Sequence, residues 1–159
     1  MTLHRHFVLI AAVDENMGMA RQGKIPWHCP EDIEHFKYLT ENETVIMGRK
    51  TWDSLPEKFR PLPKRNNIII SRQLNYAKGA IVKRNFEAAL YEASKLKKRI
   101  FVIGGADIYK QALKSTKLTQ ALISVIPGNY KCDLFFPLDK KHILSAHKQE
   151  RPTFTLYTL

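Results

Sequence analysis

Apolar residues in this chain fall into short dense runs separated by polar turns. Phe7-Val8-Leu9-Ile10-Ala11-Ala12, Val45-Ile46-Met47, Ile68-Ile69-Ile70 and Ile100-Phe101-Val102-Ile103 are apolar at consecutive positions. Runs this short and this continuous predict strands covered on both faces, because a half-exposed strand would alternate. The full pattern predicts strands over 7–12, 44–47, 67–70, 80–82, 100–103, 121–126 and 153–157. Helices are predicted over 30–39, 51–55 and 85–98 and around 107–113. In the third helix Phe86, Ala89, Leu90, Ala93 and Leu96 share one face. Strands alternating with helices predict an α/β chain with a mainly parallel sheet covered on both sides.

Composition narrows the class. A chain of 159 residues, 44% hydrophobic, suits one domain over residues 1–159 with a core and a cleft. No apolar run approaches the roughly 18 residues of a membrane span, and residues 7–13 are too short for a leader's apolar region and are needed as a strand. Cys29 and Cys132 have no metal or redox spacing, which fits a reducing, cytoplasmic compartment and predicts two small apolar fillers. The histidines form no zinc motif, so no metal is expected, and His4-Arg5-His6 falls in a predicted loose extension. The net charge of +11 raises the question of nucleic acid, yet its densest run, Lys95-Leu96-Lys97-Lys98-Arg99, is the solvent side and last turn of the third helix. Solvated surface is the better reading, and the excess charge would help to capture polyanionic small molecules. A monomer without membrane or nucleic-acid partners is expected.

Four junctions carry the candidate chemistry. Pro30 starts a helix whose first turn holds Glu31 and Asp32; Asp32 and Phe36 lie one turn apart on one face, so a carboxylate shares that face with an aromatic ring. Alone, Asp32 is an acid favoured by the helix dipole. At Gly48-Arg49-Lys50-Thr51 a buried strand runs through glycine into a basic helix start, a place for free N–H groups to meet phosphate. Arg60-Pro61-Leu62-Pro63-Lys64-Arg65 repeats the basic turn before a strand that exits at Ser71-Arg72. Ile103-Gly104-Gly105 joins a strand to a helix through glycines that allow close backbone approach. No G-x-G-x-x-G or Walker loop occurs.

In this order and spacing, with Pro26-Trp27 five residues before Asp32, the four segments resemble dihydrofolate reductases of bacterial size over roughly residues 8–137. The resemblance implies a central, mainly parallel eight-stranded sheet flanked by four helices, NADPH as cofactor, dihydrofolate as substrate and antifolates as inhibitors. It implies that Asp32 orients and polarises the pterin while water delivers the proton, with Trp27, Ser124 and Tyr109 beside it; Ser124 stands where the family usually has threonine. Ile10 and Ala12 would lie under the pterin, Phe36 and Leu62 against the aminobenzoyl ring, Arg65 on the glutamate α-carboxylate, and Ile103 at the pterin edge. Ala12, Met19, Gly48, Arg49, Lys50, Thr51, Gly104, Gly105, Ala106, Asp107, Ile108 and Tyr109 would hold the cofactor, the Gly104–Gly105 peptide being cis. Ser71 and Arg72, together with Arg49, would favour the 2′-phosphate of NADPH.

Three departures fall outside the expected pattern. Met19-Ala20 stands where the family commonly has Ile-Gly in its mobile loop, which predicts a strained left-handed alanine at about 1 kcal/mol. Cys132-Asp133 replaces Gly-Asp, and the segment after Pro137 is shorter. Two other readings stay open: a riboflavin-pathway NADPH reductase of the same fold, which gives no reason for the Trp27–Asp32 spacing, and a non-catalytic nucleic-acid-binding paralogue, which leaves the ligand motifs unexplained.

Overall fold

Successive side chains of the first strand enter two different cores, and that alternation assigns the layers. The structure, a computed structural model, describes residues 6–159; His4 and Arg5 therefore lie outside the described residues. Its elements are β1 (Phe7–Asp14), β2 (Gly18–Ala20), α1 (Pro30–Thr40), β3 (Thr44–Gly48), α2 (Arg49–Ser54), β4 (Asn66–Ile70), β5 (Ala80–Lys83) and α3 (Phe86–Lys95). There follow β6 (Ile100–Val102), α4 (Ala106–Leu113), β7 (Leu118–Ile126), β8 (Leu134–Phe135), α5 (Lys140–Leu144), β9 (His147–Glu150) and β10 (Thr155–Thr158).

Eight strands form one sheet in the order β5-β4-β3-β6-β1-β7-β10-β9. The strands from β5 to β7 are parallel, and β10 and β9 close one edge antiparallel. Phe7, Leu9, Ala11 and Val13 enter a core with Phe86, Ala89 and Leu90 of α3 and Ala112 of α4. Val8 and Ile10 enter a second core on the other face, with Phe36 and Leu39 of α1, Trp52 of α2, and Phe154. The middles of the central strands are continuously apolar because both faces are covered, and polar residues such as Asp14, Thr44 and Asn67 fall at their ends.

Local chemistry sets the helix ends. Pro30 occupies the first turn of α1, where its missing N–H costs nothing. Asn85 caps α3 by accepting from the Ala88 N–H at 2.8 Å, and Lys97 leaves that helix at φ 57°. The helix predicted over 85–98 therefore ends at Lys95.

The described residues contain the four expected helices and a fifth, α5, capped by Asp139. They also contain β2, β8 and β9, which the apolar pattern does not predict. α2 starts at Arg49, two residues before the expected position, and β10 starts at Thr155 rather than 153. No helix of the described residues is long and apolar enough to cross a membrane.

Candidate active site

β6 is inserted between β1 and β3 although it follows both in sequence, so successive connections leave the sheet in opposite directions there. Open α/β sheets form their crevice at the carboxyl ends of the strands beside such a point. The glycine junctions meet at it. Gly48 N–H donates to the Gly104 carbonyl at 2.8 Å, and Gly104–Gly105 is cis, as the resemblance implies. A Cβ on Gly48 would lie 3.1 Å from Ile108, and one on Gly104, at φ +123°, would lie 3.3 Å from Tyr109 and 3.4 Å from Thr51 Oγ1. The helices that begin here, α2 and α4, have no side-chain cap, which leaves their first N–H groups open to a ligand.

Asp32 lies on the α1 side of the same end. Burial raises its pKa above 3.8, against the lowering effects of a hydrogen bond from the Ser124 hydroxyl and of His35, while Glu31 adds to the rise. Ser124 is buried opposite Ala12 in the β1–β7 register. Tyr109 donates its hydroxyl to the Ile10 carbonyl at 2.7 Å; burial first, and Asp32 second, push its pKa far above 10.0, so it remains a donor. His35 packs its ring 5.7 Å from Phe154, and its buried Nε2 has no hydrogen-bond partner among the described residues. Burial lowers its pKa below 6.5, opposed by Asp32.

At the mouth, the Arg65 guanidinium lies 5.9 Å from the Phe36 ring centroid. It donates to the Pro63 carbonyl at 2.8 Å and to Thr40 Oγ1 at 3.2 Å, with no carboxylate of the described residues in hydrogen-bond contact. Leu62 sits in the adjoining turn. Buried Asn67 holds that turn in place: its amide accepts from Leu62 N–H at 2.9 Å and donates to the Leu62 and Arg65 carbonyls, both at 3.0 Å.

The segment between β1 and α1 is fastened from the opposite side. Asp14 is 1% exposed and accepts from the N–H groups of Gly18 at 2.8 Å, Asn16 at 2.9 Å and Tyr130 at 3.0 Å. Burial would raise its pKa, but these N–H groups and the Cys132 thiol outweigh it and hold the carboxyl below 3.8. Gln22 N–H donates to Asp133 Oδ2 at 2.8 Å, so Asp133 braces this segment. Trp27 stacks edge-on against Tyr130 at 5.5 Å.

Two expectations are corrected here. Ala20 belongs to β2, and the left-handed residues of this segment are Met17, Gln22 and Gly23, so the alanine carries no such strain. Cys132 is not an apolar filler: it is half-buried, with Sγ 3.6 Å from Asp14 Oδ2 and tight against the Gly18 backbone. Its thiol is pushed up to about 11, by burial first and Asp14 next. Cys29 is buried in the core as expected, with Sγ 3.4 Å from Thr153 Oγ1.

The remaining candidates divide. Arg49 bonds Asp53 at 2.6 Å, so its fork is partly engaged, whereas Lys50, Arg72 and Asp107 are exposed and Ser71 is buried. Ile103 and Ala106 are half-buried at the crevice, Ile103 N–H donating to the Ile46 carbonyl at 2.9 Å. Met19 is buried in the core on the α3 and α4 face. Its side chain is therefore not brought to Asp32, and only its backbone could border a ligand. Sequence reasoning missed Asp14, Asn67, Arg84 and His35. A buried polar residue closing an apolar strand, as Asp14 does, was the one signal available. No group of metal-ligand side chains occurs among the described residues.

Comparison with known proteins agrees with this geometry. A family model described as dihydrofolate reductase matches residues 6–153. The chain is 43% identical over 145 residues to the dihydrofolate reductase of Neisseria meningitidis, covering 90% of this chain and 86% of that one. It is 35% identical over 173 positions to the dihydrofolate reductase of Pneumocystis carinii, covering 95% and 84%. A shorter match, 47% over 96 residues, is to the dihydrofolate reductase of Mycobacterium tuberculosis. The ordered junctions, the crevice they meet at and these matches agree: the chain belongs to the dihydrofolate reductase family of oxidoreductases.

Proposed function

We propose that the chain reduces 7,8-dihydrofolate to 5,6,7,8-tetrahydrofolate with NADPH, hydride reaching pterin C6 as N5 takes up a proton. One observation carries this reading: a half-buried carboxylate, Asp32, in the first turn of α1, lies by the buried Ser124 at the carboxyl end of parallel β7, where desolvation raises its pKa. Its complement is a flat cation offering two parallel N–H groups, which the pterin amino group and adjacent ring nitrogen supply. Asp32 orients the pterin and stabilises its protonated form, while a water brings the proton to N5. Ile10, Phe36, Leu62 and Ile103 exclude water from the ring, and Ala12 leaves room beneath it. Arg65, held by a carbonyl and a hydroxyl, keeps donors for the glutamate α-carboxylate. Trp27, anchored on Tyr130, closes the lid side.

The residues fit a phosphorylated dinucleotide, because the uncapped starts of α2 and α4 offer N–H groups and a side chain at Gly104 would crowd the floor between them. Gly48, Arg49, Lys50 and Thr51 would hold one phosphate, and residues 104–108 the pyrophosphate. Tyr109 and the Met19 backbone would border the nicotinamide, and Ser71 and Arg72 would meet the 2′-phosphate. When bound, NADPH supplies the hydride.

Purified protein is expected to oxidise NADPH only when dihydrofolate is added, with no added metal. A folded, NADPH-binding sample that shows no dihydrofolate-dependent absorbance loss would refute the proposal.

A further inference from the structure

The turn over residues 71–75, which leaves β4 beside the crevice, is closed by a side chain from the residue that follows β5. β4 and β5 end together, Ser71 N–H donating to the Lys83 carbonyl at 2.9 Å. The next residue, Arg84, folds its guanidinium back over the turn. It donates to the Ser71 carbonyl at 2.9 Å, to the Leu74 carbonyl, and to Asn75 Oδ1 at 2.7 Å. No carboxylate of the described residues is among its partners, so its charge is left in the turn.

The polarity of the turn follows from this clamp. Ser71 Oγ accepts the N–H groups of Gln73 at 3.1 Å and Leu74 at 3.0 Å. A hydroxyl has two acceptor sites and one donor; with both acceptors occupied, Ser71 presents only its O–H. Arg84 takes up the Ser71 and Leu74 carbonyls and the Asn75 amide oxygen, the acceptors that would otherwise repel an anion. The buried Ser71 keeps its O–H as its one free hydrogen-bonding function, beside the exposed Arg72.

We propose that Arg84 is a positioning residue that sets the preference for a 2′-phosphorylated dinucleotide, by holding the turn over 71–75 in the shape that exposes Arg72 and leaves Ser71 its O–H donor. It acts through Ser71 and Arg72, its own guanidinium being engaged by the Ser71 and Leu74 carbonyls and Asn75 Oδ1. The inference rests on the NADPH reading above, and the two fail separately.

The test measures dissociation constants for NADPH and NADH, at fixed salt, with wild type, Arg84→Met, Arg84→Lys and Asn75→Ala. A wild type that binds NADPH no better than NADH refutes the cofactor reading itself. If wild type prefers NADPH, Arg84→Met is expected to weaken NADPH about tenfold and NADH less than about twofold, because a preorganised charge-assisted site is lost only for the phosphate. KM for NADPH should rise at unchanged kcat. Arg84→Lys should recover only part of the preference, since an ammonium keeps the charge but not the three-way fork. Amide exchange at Gln73 and Leu74 should quicken in Arg84→Met. Equal losses for the two cofactors, or an unchanged ratio, overturn the proposal. Should Arg84→Met fail to fold, Asn75→Ala removes one exposed clamp bond and must lower the ratio about two- to threefold; an unchanged ratio there overturns it equally.

Discussion

Replacing Asp32 with asparagine is expected to cost activity and add stability. The substitution keeps the volume and lets the Ser124 hydroxyl donate to the carboxamide oxygen, so no buried group is orphaned. It removes the charge that stabilises a protonated pterin. Turnover at neutral pH should fall at least about tenfold, or about 1.4 kcal/mol of barrier, and recover toward acid, where substrate protonates itself. Stability moves the other way. Burial raises the Asp32 pKa above 3.8, so the folded state holds this proton more tightly than the unfolded one. Stability therefore falls as pH rises from about 3.8 through the folded pKa, and above that the wild type carries the full cost of a desolvated carboxylate. Each unit of upward shift corresponds to about 1.4 kcal/mol, and each kcal/mol to roughly 2–4 °C of Tm in a chain of this size. The assays are NADPH oxidation across roughly pH 5 to 9, and melting of both proteins at neutral pH and in acid. Asp32→Asn should melt higher at neutral pH, with the gap closing in acid. A variant that matches wild-type rates at every pH would make Asp32 a helix-start acid, and one less stable at neutral pH would refute the desolvation argument.

Ser124→Ala leaves the half-buried Asp32 without its hydroxyl neighbour. The acid limb of the rate profile should move to higher pH, and denaturant melts at neutral pH should show a loss of about 1.5 kcal/mol or more; an unmoved acid limb would count against the contact. Asp14→Asn replaces a carboxylate whose folded pKa lies below 3.8, so the stability it contributes is present above about pH 3.8 and is lost as pH falls through the folded value. The variant should lose about 2 kcal/mol at neutral pH, with a gap that narrows in acid; a gap independent of pH would show that charge is not the source. Arg72→Ala should weaken NADPH about tenfold to a hundredfold and leave NADH nearly unchanged, while Arg49→Ala costs less because Asp53 already holds its fork. Equal losses for both cofactors would move these arginines to the shared pyrophosphate.

Legibility in the sequence followed burial. β1, β3, β4, β6 and β7 are covered on both faces, and their continuous apolar runs announce them. β9, His147-Lys148-Gln149-Glu150, is exposed at every position; it exists because β10 offers it a hydrogen-bonding edge, and no side-chain periodicity records that. β2 and β8 are three and two residues long and pair only with each other, too short for any period to register. β10 starts late because Glu31, 122 residues upstream, binds the Thr153 backbone N–H and hydroxyl and holds them in the turn.

The site divides in the same way, and the division has a physical cause. Asp32, Gly48 and Gly104 sit at strand–helix junctions, where the residues that meet a ligand are also those that end one element and start the next, so local pattern and chemistry coincide. Asp14, Asn67 and Arg84 touch no ligand in the proposed reaction. Each is a polar side chain whose hydrogen bonds fix a neighbouring turn: Asp14 joins the loop after β1 to Tyr130, Asn67 sets the turn bearing Leu62 and Arg65, and Arg84 closes the turn bearing Ser71 and Arg72. Their partners can be assigned only once the strands are paired, since the same residues in another register would be ordinary solvated polar groups. The same pairing explains the misplaced strain at Ala20: β2 pairs with β8 and extends the alanine, and the left-handed residue that lets the chain turn is Met17, whose N–H donates to the Asp14 carbonyl and whose own carbonyl accepts from Phe136.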